Sequence, residues 1–353
     1  MGIETRATKF VAKWLCVALL SLATCELSLI VWDFAPKYRI SIKGLPKESS
    51  DLWFTLSNTR LYKLIPQSAK GINSHGFRDV EFTPLDASKR RLVTVGDSFP
   101  MGLAVPPAST FPKRIPDFLS ESVESLNLGI QGYGPDQELD VIRSEVLELK
   151  PQCVLWSIFP GNDFADIVKD GLYALRDDGV LEPSSENLIT TRIPKYRLSM
   201  AMNLLRYGSF LHPDVERYLD SAFFQDKVTV LSDPEHPYRK FGVTLASSIL
   251  SKGREELAAR GIKVVALVIP SFEVIQDDSR LVKEGVAKSE YFTNEKLAVA
   301  ALKDVGIPFV DLTPLFTQHS GDPLYVTEDR HLSALGHEEA AKAIAPLVRD
   351  CLK

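Results

Sequence analysis

The sequence predicts an α/β protein with a parallel, doubly wound sheet, and three observations lead to this fold class. Short apolar runs of strand length recur from residue 92 onward, stretches with helical periodicity separate them, and two of these stretches end at a glycine. Strands that alternate with helices are joined by crossovers and therefore pair in parallel. The predicted strands cover residues 92–95, 123–128, 153–159, 263–269 and 308–312.

The N-terminal segment has the features of a membrane anchor. Residues 1–13 form a short basic tail, and residues 14–32 are mostly apolar with a tryptophan at each end. At about 1.5 Å per residue, a helix of this length nearly spans a hydrocarbon core of ~30 Å. Glu26 is the exception, since a charge near the bilayer centre costs roughly 2.5–3.5 kcal/mol. We expect a transmembrane signal anchor and a single-pass membrane protein.

Two other interpretations of this segment stay open. The sequence from Leu22 to Cys25 is an imperfect lipobox, so a cleaved signal or a lipoprotein signal ending at Cys25 is one alternative, and a buried core helix is the other. Basic residues on both sides of the apolar run weaken the positive-inside asymmetry. We expect the catalytic domain to be extracytoplasmic or periplasmic.

The rest of the chain divides into a lead-in and a main domain. Residues 33–90 carry mixed turn signals and are expected to pack on the main domain, which covers residues 91–351. Predicted helices alternate with its strands, and one region, at about residues 170–240, lacks the βα pattern and is interpreted as an insertion. It forms either a wall of the binding crevice or a covering loop. The helices span residues 136–149, 244–260, 291–304 and 334–351.

Composition limits the possible partners and cofactors. The chain is 353 residues long with a formal net charge of −5, so it offers no general electrostatic attraction for nucleic acid. The four cysteines show neither a CxxC spacing nor a Cys/His cluster, so neither a zinc site nor a disulfide scaffold is expected. Walker and G-x-G-x-x-G motifs are absent from the sequence. We therefore expect no cofactor, no metal and no nucleic-acid partner.

A serine and a histidine are the candidate reactive residues. Gly96-Asp97-Ser98 directly follows the first predicted strand, and in a doubly wound sheet the binding crevice lies beyond the carboxyl ends of the strands. A serine nucleophile needs a base to take its proton. His331, just before the last predicted helix, could point back at the crevice. The other histidines are expected to be solvated, to lie in a turn or to begin a helix, and they are His75, His212, His236, His319 and His337.

Four short motifs together resemble the blocks of the SGNH (GDSL-type) hydrolase superfamily. They are G-D-S-F at residues 96–99, N-L-G-I-Q-G at residues 127–132, G-N-D at residues 161–163 and D-R-H at residues 329–331. Their order and their places at strand ends match those of the superfamily. N-S-H-G-F-R-D at residues 73–79 is similar to a bacterial branch with an N-terminal membrane segment. The resemblance covers roughly residues 71–351.

The resemblance implies a fold and a set of site residues. The fold would be a three-layer α/β/α flavodoxin-like domain with a mainly parallel five-stranded sheet, preceded here by one transmembrane helix. Ser98 would be the nucleophile and His331 the base, and the oxyanion hole would combine the backbone N–H groups of Ser98 and Gly132 with the side-chain amide of Asn162. Such donors matter because losing one can cost ~2.7–4 kcal/mol of transition-state stabilisation.

The sequence departs from the superfamily pattern in two places. Phe99 replaces a leucine, which changes packing rather than chemistry. The superfamily's commonest acid position, three residues before the histidine, holds Glu328, whereas Asp329 lies two before it. In an extended segment, side chains two residues apart lie on the same side. We therefore expect Asp329 to orient His331, with Glu328 as the alternative.

The resemblance implies an activity on esters. We expect a serine-dependent esterase or acylhydrolase that acts through an acyl-enzyme intermediate on a small-molecule, glycan or lipid ester. An O-acyltransferase that modifies a cell-surface polysaccharide is the first alternative, because both reactions pass through the same intermediate. A non-catalytic binding or assembly protein on the same fold is the second. The sequence points to no particular protein partner.

Overall fold

The computed structural model describes most of the chain, and its first part contains one helix and a small sheet. Helix α1 (Gly2–Val31) is followed by strands β1 (Lys37–Ser41), β2 (Asp51–Ser57) and β3 (Leu61–Leu64), which pair antiparallel in the order β1-β2-β3. The described residues are 2–31, 37–41, 51–57, 59–69, 71–86, 88–184, 206, 237–283, 285, 287–288 and 293–353.

The centre of the molecule is a five-stranded sheet in which all pairs are parallel. Its order is β10-β9-β6-β4-β5, so the chain starts in the interior of the sheet, adds one edge strand, and then crosses over to build outward on the other side. This confirms the predicted α/β fold, and each predicted strand is present. The strands are β4 (Arg90–Val95), β5 (Val123–Asn127), β6 (Cys153–Ile158), β9 (Lys263–Val268) and β10 (Phe309–Asp311).

Helices cover both faces of this sheet because successive strand residues point to opposite sides. Along β6, Val154 and Trp156 belong to one buried cluster and Cys153 and Leu155 to the other. The helices are α2 (Ser98–Met101), α3 (Phe111–Arg114), α4 (Pro135–Val141), α5 (Leu147–Leu149), α6 (Asp163–Asp170), α7 (Pro237–Ala258), α8 (Phe272–Ile275), α9 (Ser279–Lys283), α10 (Thr293–Val305), α11 (Thr313–Gln318) and α12 (Ala334–Leu352).

Helix boundaries differ from the prediction in two places. A π-helical turn, Ile142–Val146, joins α4 to α5 where the sequence predicts one uninterrupted α-helix. Helix α7 begins at Pro237, inside the region interpreted as an insertion. That region otherwise contains a short hairpin of β7 (Tyr173–Leu175) and β8 (Leu181–Pro183). Residues 185–205 and 207–236 of the predicted insertion lie outside the described part of the chain.

The structure contains one disulfide, which the spacing of the cysteines did not indicate. Cys153, the first residue of β6, is bonded to Cys351 in α12, with their Cα atoms 5.6 Å apart. The two cysteines are 198 residues apart in sequence. Local spacing patterns cannot reveal such a pair, because only the packing of α12 against the sheet brings the two sulfurs together.

The N-terminal helix is the one candidate membrane span among the described residues. Its apolar stretch, Thr8–Ser28, has a mean hydropathy of 1.7, and none of this stretch is buried against the rest of the protein. The helix continues without a break across the predicted boundary between residues 13 and 14. Trp32, the last residue of the predicted anchor, lies outside the described residues. By length and composition this helix could be a membrane anchor or a signal sequence.

Candidate active site

The candidate nucleophile lies in a tight turn between β4 and α2. A side chain at Gly96 would place its Cβ 2.7 Å from Cγ of Pro100 and 2.8 Å from Cβ of Ser157, so only glycine fits there. Asp97 caps α2 by accepting a hydrogen bond from the backbone N–H of Phe99 at 2.9 Å. Ser98, the first residue of the helix, is 7% exposed at the carboxyl end of β4.

The structure brings the candidate base into contact with this serine. Nε2 of His331 lies 2.8 Å from Oγ of Ser98, although 233 residues separate them in sequence. The histidine loop is held by a hydrogen bond from the N–H of Val326 to the carbonyl of His331, at 2.8 Å. If Nε2 accepts the serine proton, the neutral ring carries its own proton on Nδ1. Nδ1 has no hydrogen-bond partner within the described structure.

Of the two candidate acids, Asp329 is the one beside His331. Its Oδ1 accepts a hydrogen bond from the backbone N–H of His331 at 3.0 Å and lies 3.7 Å from Nδ1 of the ring. Burial opposes ionisation of Asp329, but hydrogen bonds and attraction from His331 outweigh it and lower the pKa of this carboxyl. Glu328 is exposed to solvent. Of the two acids, Asp329 is therefore the one whose carboxylate lies near Nδ1 of His331.

A second carboxyl, Asp97, also lies near the serine. Its Oδ2 is 3.4 Å from Oγ of Ser98, a longer contact than the one to His331. Burial is the main cause that raises the pKa of Asp97 to about 6, while the N–H of Phe99 and the nearby His331 oppose the rise. The serine hydroxyl thus has two acceptors, and the shorter contact favours His331.

The two other predicted oxyanion donors lie in the loops that follow the strands on either side of β4. Strand β4 lies between β5 and β6, so the loop after β5, which holds Gly132, and the turn after β6, which holds Asn162, stand on either side of Ser98. Gly132 has a positive φ of 75°, a conformation that favours glycine. Asn162 precedes α6, and its Oδ1 has no hydrogen-bond partner among the described groups.

Two lead-in residues to which the sequence assigned no role contact the end of α2 and the last residue of β5. The guanidinium of Arg78 donates to the carbonyls of Met101 at 3.0 Å, Gly102 at 2.7 Å and Val105 at 2.9 Å. Asp79 accepts from the backbone N–H of Asn127 at 2.7 Å. Both belong to the N-S-H-G-F-R-D segment, and that resemblance was the signal that could have identified them.

Asn127 connects the nucleophile turn to the loop that follows β5. Its Nδ2 donates to the carbonyl of Pro100 at 2.5 Å, and its Oδ1 accepts from the N–H of Gly129 at 3.1 Å. A Cβ on Gly129 would lie 2.6 Å from the backbone nitrogen of Met101. The loop and the nucleophile helix are therefore in direct backbone contact, and Gly129 makes this approach possible.

A group of buried carboxyls lies behind the candidate site, and the sequence analysis did not identify it. Burial raises the pKa of Asp136 to about 7 and the pKa values of Glu138 and Asp163 well above their usual range. The indole of Trp156 donates to Glu138 at 2.6 Å. No group of three or more His, Cys, Asp or Glu residues within the described ranges is placed to hold a metal ion. Burial is the main cause of these raised pKa values and favours the protonated form of the acids.

Comparison with known protein families identifies the type of fold. Residues 232–352 match the family model described as the SGNH hydrolase-like domain of the acetyltransferase AlgX, and this segment contains both Asp329 and His331. This match, with the parallel five-stranded sheet, confirms the predicted SGNH hydrolase-like fold. No protein of curated function matches the chain.

Several solved structures are similar over most of the chain. A lipase/acylhydrolase from Enterococcus faecalis is 17% identical, with 75% of this chain and 97% of that chain covered and a TM-score of 0.43. The acetyl xylan esterase AlAXEase is 12% identical, with 73% and 99% covered and a TM-score of 0.43. A catalytic mutant of the acetylxylan esterase Axe2 from Geobacillus stearothermophilus is 12% identical, with 76% and 96% covered and a TM-score of 0.42.

Proposed function

From the premise of an SGNH hydrolase-like fold, we propose that this chain is a serine-dependent esterase that cleaves an ester-linked acyl group through an acyl-enzyme. The observation that carries the proposal is the 2.8 Å contact between Oγ of Ser98 and Nε2 of His331. A hydroxyl is a weak nucleophile until a base takes its proton, and this contact supplies the base within hydrogen-bond reach. The proposed substrate is a small-molecule, glycan or lipid ester.

The proposed reaction has two halves. Nε2 of His331 takes the Ser98 proton while Oγ attacks the ester carbonyl, and the negative charge on the carbonyl oxygen is stabilised by the N–H groups of Ser98 and Gly132 and the amide of Asn162. The protonated imidazole, stabilised by Asp329, gives its proton to the departing alcohol oxygen. Water then attacks the acyl-enzyme with His331 again as the base, and the acid leaves.

Acyl transfer is the second candidate function. In this reaction the hydroxyl of a cell-surface polysaccharide, rather than water, attacks the acyl-enzyme. The match of residues 232–352 to a domain described for an acetyltransferase favours this candidate. An added glycan acceptor distinguishes the two reactions. Transfer predicts an acylated glycan and slower release of free acid, whereas an esterase releases acid at the same rate with or without the glycan.

We further propose that residues 14–32 are retained as a membrane anchor and that residues 33–353, the lead-in and the main domain, are extracytoplasmic. The disulfide between Cys153 and Cys351 supports this topology, because disulfides persist mainly in oxidising compartments. A reporter that is active only in the periplasm, fused at the C-terminus, should be active. Activity of a cytoplasm-dependent reporter instead would reject this orientation, and a mature N-terminus at Cys25 would reject the anchor.

The test of the catalytic proposal is covalent labelling of the full-length protein in detergent. A fluorophosphonate probe should label the wild type and fail to label Ser98→Ala, and hydrolysis of 4-nitrophenyl acetate should fall with it. Ser271→Ala is the matched control, since Ser271 is also buried at a strand end but accompanies Glu295 rather than a histidine. Equal labelling of the wild type and Ser98→Ala would refute the proposal and favour a non-catalytic role.

A further inference from the structure

One peptide unit of the candidate oxyanion hole is held from outside the main domain. The hydroxyl of Tyr62 in β3 donates to the carbonyl of Gln131 at 3.0 Å. That carbonyl belongs to the same peptide unit as the N–H of Gly132. Tyr62 lies in the lead-in, a segment that was expected to pack on the main domain and was not expected to contact the site.

The geometry of a trans peptide gives this contact a consequence for Gly132. The peptide unit is planar, and its C=O and N–H point in opposite directions. A hydrogen bond that fixes the carbonyl of Gln131 towards Tyr62 therefore fixes the N–H of Gly132 on the opposite side, away from Tyr62. A donor on the carbonyl also polarises the amide and strengthens its N–H as a donor.

The preceding peptide unit of this loop is fixed as well. The backbone N–H of Gln131 points at Sδ of Met101, 3.2 Å away, on the helix that begins with Ser98. The loop is thus tied to the nucleophile helix through one peptide and to Tyr62 through the next. Two fixed peptides in succession restrict the rotation about the Cα of Gln131 and hence the direction of the next N–H.

Tyr62 is itself rigidly placed. It is 1% exposed, its ring packs edge-on against Tyr133 at 5.3 Å, and its own carbonyl accepts the hydroxyl of Tyr133 at 2.6 Å. Burial, with a further contribution from Asp170, raises the pKa of Tyr62 well above its usual range, so the hydroxyl keeps its proton and remains a donor.

We propose that Tyr62 is a positioning residue for the oxyanion hole, because its hydrogen bond to the Gln131 carbonyl aims the N–H of Gly132 at the developing negative charge. This inference depends on the proposed function, in which Gly132 is an oxyanion donor. It assigns to the lead-in a part in transition-state stabilisation, with no contact between Tyr62 and the substrate.

The test compares two buried tyrosines that each lose one hydroxyl. Tyr62→Phe removes the bond to the Gln131 carbonyl, whereas Tyr133→Phe removes a hydrogen bond of the same kind that does not touch the oxyanion peptide. Because misdirecting a donor costs less than deleting one, we expect Tyr62→Phe to lower kcat for 4-nitrophenyl acetate and the fluorophosphonate labelling rate about tenfold. KM should change less than about twofold. Tyr133→Phe, which loosens the backbone of Tyr62 but keeps its bond to the Gln131 carbonyl, should lower kcat by much less than Tyr62→Phe.

A second test, made in a variant protein, distinguishes a positioning role of Tyr62 from a general loss of stability. In an Asn162→Ala protein the oxyanion hole is already impaired, so Tyr62→Phe should cost less there than in the wild type. Rates are measured below the melting temperatures of all variants. Equal labelling rates for Tyr62→Phe and the wild type, equal losses in both tyrosine variants, or fully additive losses with Asn162→Ala would overturn the inference. A wild type that is not labelled would reject the proposed function itself.

Discussion

The two ends of the central sheet differ in how completely their polar groups are paired. At the carboxyl end, Nδ1 of His331 and Oδ1 of Asn162 have no partner among the described groups. At the amino end, the guanidinium of Arg91 donates to the carbonyls of Leu149 at 2.8 Å and Thr83 at 2.6 Å and to Glu124 at 2.7 Å. Beside Arg91, the disulfide joins the start of β6 to α12.

This difference distinguishes an end of the sheet that stabilises the fold from the end at which we propose the reaction. Groups whose hydrogen bonds are all made gain nothing from a ligand. A buried polar atom without a partner costs free energy until another molecule forms a hydrogen bond with it. The amino end therefore holds the sheet and α12 together, and the carboxyl end, where we propose the active site, keeps polar groups that a substrate could contact. Substitutions at the two ends should accordingly affect different quantities, namely activity at one and stability at the other.

The largest expected effect is at the carboxyl end. Asp329→Asn removes the charge that, in the proposed mechanism, stabilises the His331 imidazolium, and we expect kcat for 4-nitrophenyl acetate to fall about 10²–10⁴-fold. The melting temperature should change little. Glu328→Gln is the matched control one residue earlier, and because Glu328 is exposed we expect nearly wild-type activity.

The reverse ordering of these two variants would show that Glu328 completes the triad, which requires a rearrangement of the histidine loop. Parallel losses of activity and melting temperature in Asp329→Asn would contradict the separation of the two ends. The measurement is steady-state kinetics with a thermal melt for each purified full-length variant.

An effect of intermediate size is expected at the amino end. Replacing Cys153 and Cys351 together by serine removes a cross-link between residues 198 apart, and disulfides of this kind contribute about 2–5 kcal/mol to the free energy of unfolding. That corresponds to a fall of roughly 5–20 °C in melting temperature. At 25 °C, kcat should stay within about twofold of the wild type, since the bond is at the end of the sheet opposite Ser98.

The control for this experiment is the double replacement of Cys16 and Cys25 by serine, because both are exposed free thiols on α1. It should leave the melting temperature of the domain unchanged. A loss of kcat in the Cys153→Ser/Cys351→Ser protein at temperatures where it is fully folded would mean that the amino end also tunes the site.

The smallest expected effect is a pH dependence of stability from the buried carboxyls. A carboxyl whose pKa is raised by folding binds its proton more tightly in the folded chain, so its stabilisation is complete below its unfolded pKa and is lost as the pH rises through its folded pKa. Folding raises the pKa of Asp97 to about 6 and those of Asp136 and Glu295 to about 7. The pKa of His337, which burial lowers to about 3, opposes this trend, but the carboxyls outnumber it, so the melting temperature should fall by several degrees between pH 5 and pH 8.

Asp136→Asn keeps the shape of the side chain and removes its titration, so this variant should show a shallower decline over the same pH range. A melting temperature that rises from pH 5 to pH 8 in the wild type would contradict the burial of these acids in their protonated form. Thermal melts in matched buffers at constant ionic strength provide the measurement.

The sequence predicted the features that depend on short stretches of chain. Apolar runs and helical periodicity located the five parallel strands, and Gly96-Asp97-Ser98 and the D-R-H segment marked residues that the structure brings together. The spacing argument for Asp329 over Glu328 assumed an extended segment. That choice depends on the path of the loop, and Arg330 inside it adopts a left-handed conformation with a φ of 64°.

The features that sequence reasoning missed join distant segments. The disulfide spans 198 residues, and Tyr62 contacts Gln131 across 69 residues. The buried carboxyls were missed for another reason. Acidic residues such as Asp136 and Glu138 at a helix start are normally interpreted as solvated charges, because burying a carboxylate is costly. Only tertiary packing reveals them, and local patterns carry no information about it.

The long separation between Ser98 and His331 also affects how the protein is made. During synthesis, 233 residues separate the emergence of the serine from that of the histidine. At roughly 5–20 residues per second, this interval is on the order of 10–50 s. Under the proposed mechanism, Ser98 lacks its base during that time, and Cys153 likewise precedes Cys351 by 198 residues. On the same proposal, the nascent chain cannot cleave esters before His331 has been made, so the order of synthesis sets the earliest time of activity.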